Sequence, residues 1–153
     1  MSEPNYAGNI IVNLASLPDF LRKPILTKRM NEFFTLSTPD RLQIINNALE
    51  AGPTIPFANF AKLFATWLEI LASSTEEKRT IMFSAYIFEI LKNPQKIILF
   101  NLDGIFEIYL SLEESKRNVI AESLKKIVEG LPEEQKRKLY LVIPQSAKSQ
   151  LGI

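Results

Sequence analysis

Proline recurs at positions 18, 56, 94 and 132, each time 38 residues after the last, and arginine recurs at 41, 79 and 117, always 23 residues after a proline. The chain has nine prolines among 153 residues, so two ladders sharing one period are not a product of abundance. A period of this length marks an architecture built from repeated supersecondary units, and it constrains the fold before any single residue is considered. Apolar columns keep the same period: Leu26, Phe64, Leu102 and Tyr140; Met30, Leu68 and Phe106; Phe33, Leu71 and Tyr109; Ile44, Met82 and Ile120; Ala48, Tyr86 and Leu124. These columns are the expected core.

Each unit predicts two helices, A and B. Helix A opens at the proline, whose missing N–H would have had no partner in a first helical turn. A polar turn follows (LSTPDR, SSTEEKR or SLEESKR), and the pairs Ser74-x-x-Glu77 and Ser111-x-x-Glu114 have the spacing of a capping box that starts helix B. Within helix B the stripes Arg79, Met82, Phe83, Tyr86, Ile90 and Arg117, Ile120, Ala121, Leu124, Val128 fall at helical spacing. The pattern predicts an all-α single domain of stacked antiparallel helical hairpins, an α-solenoid or compact helical bundle with about eight helices. Its parts are a lone B helix over 3–15, units over 18–55, 56–93 and 94–131, a terminal A helix over 132–143 and a tail over 144–153.

One segment resists that scheme. KIILFNLDGIFEIYL, from Lys96 to Leu110, carries Asp103-Gly104 between apolar runs, a strong short-range signal for a β-hairpin. The same 23 residues separate Pro94 from Arg117 as separate Pro56 from Arg79, which favours helix A of the third unit; the hairpin is the competing reading. A helical Gly104 costs about 1 kcal/mol relative to Ala, which packing can offset.

The period near 40, the paired helices and a turn such as TPDRLQIINNAL, with an acid and an arginine ahead of an apolar helix, resemble the HEAT family of helical repeats. That resemblance implies a binding scaffold without catalysis.

Composition narrows function mainly by exclusion. With no Cys and no His, thiolate nucleophiles, disulfides, imidazole bases and the commonest metal ligands are unavailable. The paired carboxylates Glu76-Glu77, Glu113-Glu114 and Glu133-Glu134 stand at expected helix starts, where acids stabilise without doing chemistry. No phosphate-cradling glycine loop or metal-ligand spacing occurs, so neither enzyme activity nor a cofactor is expected. A net charge of +1 gives no global field toward nucleic acid. No signal peptide or membrane-spanning run is indicated, and the expected location is cytoplasmic.

Two constellations remain. The arginine ladder reads either as an anion-binding row or as structural ion pairs, Arg79 with Glu69 and Arg117 with Glu107, tying helix A to helix B. Separately, Phe88, Ile97 and Phe100 occupy columns whose counterparts in other units are mostly polar: Glu50 and Lys126 for Phe88, Asn59 for Ile97, Lys62 for Phe100. Apolar residues at solvent columns point to a docking patch for a protein partner or a second copy of the chain. The competing readings are that a chain terminus folds over them, or that the aromatic-rich centre carries an apolar small ligand.

Overall fold

The computed structural model describes residues 6–151, and all its regular structure is helical. The helices are α1 (Tyr6–Ser16), α2 (Asp19–Phe34), α3 (Thr38–Ala51), α4 (Phe57–Ala72), α5 (Glu76–Lys92), α6 (Gln95–Ile98), α7 (Leu102–Leu110), α8 (Glu114–Glu129), α9 (Glu133–Val142) and α10 (Gln145–Leu151), with one 3-10 turn over Gly52–Thr54. Residues 3–5 of the expected first helix and the last two residues of the expected tail lie outside the described residues.

The local punctuation is physical. Pro18, Pro56 and Pro132 sit immediately before α2, α4 and α9 with ψ of 149, 133 and 149°, an extended backbone that turns the chain into each helix. Ser37 and Thr75 cap α3 and α5 by accepting from the Asp40 and Lys78 amides at 3.4 and 3.2 Å. The capping boxes expected at Ser74 and Ser111 do not form. Their hydroxyls donate backward, to Ile70 O at 2.7 Å and Ile108 O at 2.6 Å, and so serve the end of the preceding helix.

Among the described residues there are two more helices than the eight expected, for separate reasons. The tail forms α10, with Ala147 buried and Leu151 packed on the core. The segment around Asp103-Gly104 is helical, not a hairpin, but it is not one helix. It breaks between Ile98 and Leu102, where Asn101 takes up non-helical angles and its side chain accepts from Gly104 N at 3.0 Å, starting α7 afresh. Gly104 is explained by the crowding around it: a Cβ there would meet the Phe57 ring and lie 2.7 Å from Asn101 Nδ2.

Counting past the short α6, contacts run between helices two apart in sequence as well as between neighbours. α1 packs on α3, α3 on α5 and α5 on α8, while α2 packs on α4 and α4 on α7. Between these sets lies the main core, including Met30, Phe33, Ile45, Leu68, Leu71, Met82 and Ile120, all drawn from or beside the periodic apolar columns. A smaller core of Ile87, Val128 and Leu139 attaches α9 to α5 and α8.

Candidate functional site

The arginines of the 38-residue ladder sit just after the turns between helices. Arg41 donates to Phe34 O at 2.9 Å, and Arg117 to Leu110 O at 2.9 Å and Leu112 O at 2.7 Å. Arg79 donates to Leu71 O at 3.2 Å and to Ser74 O, while its Nε reaches Ser123 Oγ at 3.0 Å on α8. Each guanidinium at the start of one helix therefore satisfies carbonyls left open at the end of the helix before it, where a cation also meets the negative end of the dipole. Among the described residues no ion pair joins Arg79 to Glu69 or Arg117 to Glu107, so the expected pairs give way to carbonyl clamps. The carbonyls need donors and the five-donor fork of arginine supplies several at once.

Arg22, outside the 38-residue ladder, does the same at the α1–α2 turn. It is 3% exposed, donates to Leu14 O at 3.0 Å and to Leu17 O, and pairs with Asp19 at 2.5 Å. Sequence periodicity missed it because it joins a B helix to an A helix, the opposite connection to the one the ladder marks.

The expected docking residues part company. Phe88 on α5 is 53% exposed, as a solvent column requires. Ile97 is half-buried. Phe100 is also half-buried and turns inward: its ring lies 5.6 Å from Phe60 and occupies the space that a side chain at Gly52 would need. In place of those two, the break after α6 presents Ile98 and Leu99, 62% and 71% exposed. A helical register running unbroken from Pro94 hides them. The available signal was Asn101 three residues before Gly104, an N-cap spacing inside a supposed helix.

The exposed apolar residues are thus Phe88 near the end of α5 and Ile98–Leu99 at the end of α6, on either side in sequence of the Asn93–Pro94 turn, with Lys92 Nζ 5.9 Å from the Phe88 ring centre. Lys96 is withheld from them by a hydrogen bond to Asn46 Oδ1 on α3 at 2.7 Å.

The aromatic centre is internally consumed. Phe57, Phe60, Phe64 and Trp67 stack successively along α4 at centroid separations of 6.1, 5.7 and 5.6 Å, and Trp67 meets Phe83 and Tyr86 edge-on. Burial pushes the Tyr86 and Tyr109 phenols up. The remaining shifted groups are ion pairs: Arg22 beside Asp19, and Lys126 beside Glu76, hold those carboxyls below the usual range, and Glu76 raises Lys126 in return. The shifted groups are spread over α2, α5, α7 and α8. Among the described residues no group of three or more acids is placed to hold a metal ion, and no helix is long and apolar enough to cross a membrane.

No family model, curated protein or solved structure matches the chain.

Proposed function

We propose that the chain is a non-catalytic protein-interaction module, a stack of helical hairpins of the HEAT-like kind that docks a protein partner or its own copy through Phe88, Ile98 and Leu99. The observation that carries this reading is the exposure of three large apolar side chains around one turn, two of them at a helix break that turns Phe100 inward and leaves its neighbours in solvent. Packing of α1, α3, α5 and α8 in one row and α2, α4 and α7 in another supports the stacked-hairpin description. Such rows give a rigid platform, which lowers the entropic cost of presenting a fixed surface. Rings that stack on one another along α4 favour this reading over an apolar-ligand carrier, because their faces are already engaged.

The test is solution mass by light scattering for the wild type and a Phe88→Asp, Leu99→Asp double variant, with helix content by circular dichroism. A dimeric wild type and a folded monomeric variant would make the surface a self-association seam. A monomeric wild type directs the search to a foreign partner that binds wild type and not the variant. Loss of helix content in the variant would show that these residues are core and end the proposal, and an apolar molecule co-purifying in native mass spectrometry would favour the carrier.

A further inference from the structure

The near-zero net charge conceals a local imbalance on α2. Its buried side chains, Arg22, Leu26, Met30 and Phe33, mark the side facing the core. On the opposite side the first two turns are apolar: Phe20 is 76% exposed, Leu21 40% and Ile25 38%, with exposed Pro24 among them. The charges around this stripe are unequal. Lys23, Lys28 and Arg29 of α2 and Lys62 of the adjacent α4 are exposed, against only two exposed acids, Asp19 and Glu32. Both acids are engaged, Asp19 by buried Arg22 with Lys62 also lowering its carboxyl, and Glu32 by Arg29 at 3.3 Å. Lys23 and Lys28 make no ion pair among the described residues.

We propose that this face of α2 docks on an anionic lipid surface, with Phe20 and Leu21 entering the headgroup layer and Lys23 and Lys28 meeting lipid phosphates and carboxylates. The combination of a protruding apolar stripe and flanking cations is what an interfacial helix needs, since each contributes to binding where the other is too weak alone. Lysine's flexible stem lets its ammonium reach the headgroup plane while the helix lies flat. A protein partner fits less well. Exposed Lys23 and Lys28 flank the stripe, and lysine is depleted from protein interfaces. A bilayer deforms around protruding groups, and its anionic headgroups meet such lysines directly. This face is separate from the Phe88–Leu99 surface, and the two stand or fall independently.

The experiment is co-sedimentation at low salt with vesicles of phosphatidylcholine alone and of phosphatidylcholine mixed with phosphatidylserine. The wild type is expected to sediment with the phosphatidylserine vesicles only and to be released as salt is raised. Phe20→Ser and the double variant Lys23→Glu, Lys28→Glu, all at exposed positions, should keep the wild-type circular dichroism; the charge reversals should weaken binding by at least about tenfold. The Phe88→Asp, Leu99→Asp variant should bind vesicles as the wild type does. Wild type left in the supernatant, or sedimentation equal across both vesicle types or across wild type, Phe20→Ser and the charge reversal, would overturn the proposal. So would a dimer that Phe20→Ser dissociates, since a second copy would then occupy the face.

Discussion

At the residue scale the least expected side chain is Glu89. It lies on α5, is 1% exposed, and its Oε2 has no hydrogen-bond partner among the described residues; its counterparts one period away, Ala51 and Ile127, are apolar. A buried polar group without a partner costs about 1–3 kcal/mol on mutational scales. Glu89→Met, of similar length, is therefore expected to raise the thermal midpoint by several degrees in a circular dichroism melt; a lowered midpoint would mean the carboxylate is held by something that stabilises it. The arginine clamps run the other way. Arg79 bonds to the chain at α4 and to Ser123 on α8, so Arg79→Met should cost about 2–4 kcal/mol in urea unfolding, and Arg41→Met, which loses a single carbonyl bond, clearly less. Equal losses would show that the clamps' partners do not matter. The ladder was legible in sequence as a structural feature, yet its partners were not: spacing points to side chains, and backbone carbonyls carry no letter. Core columns fared better, because burial of Met30, Phe33, Leu68, Leu71, Met82 and Ile120 follows directly from apolar periodicity.

At the element scale, prolines and polar turns located α2, α3, α4, α5, α8 and α9, since those signals act within a few residues. The break between α6 and α7 had one local signal, Asn101 at N-cap spacing before Gly104, while the packing that goes with it lies on other helices. Phe100 leaves the helical path to cover Gly52 at the end of α3 and meet Phe60 on α4. This also moved the exposed apolar positions from Ile97 and Phe100 to Ile98 and Leu99. The dependence can be measured. In the wild type, Gly52→Ala places a methyl where the far end of the Phe100 ring lies, and overpacking of this kind costs about 1–3 kcal/mol. With Phe100→Ala already present, the same change should be neutral or gain up to about 1 kcal/mol from helix propensity. Additive effects in this double-mutant cycle would mean that the ring does not hold the break.

For the whole molecule, stability is shared between ties that cross helices and cores of unequal size. Glu76 and Lys126 join α5 to α8 at 2.7 Å, both more than half exposed, so the tie is screened by solvent and salt. Because the carboxyl is depressed in the folded state, its contribution is present at neutral pH and lost as pH falls through that depressed value; the raised ammonium loses its share only as pH climbs through its own folded-state value. Stability of the wild type minus that of Lys126→Ala should accordingly be small and flat at neutral pH, shrink in acid, and shrink further at high salt. A difference that grows in acid would put the interaction elsewhere. The cores set how the fold opens. α9 meets the rest through Leu139, which with Ile87 and Val128 forms the lesser cluster, while α3, α4 and α5 share the larger one. Leu139→Ala removes about 2–5 kcal/mol of packing from a helix whose other contacts to this cluster, Tyr140 and Val142, are only partly buried. Hydrogen exchange followed by mass spectrometry should then show amides of α9 exchanging much faster while those of α3, α4 and α5 keep their protection, the behaviour of a fold that opens in parts. Uniform loss of protection across all helices would instead show that the two cores melt as one cooperative unit.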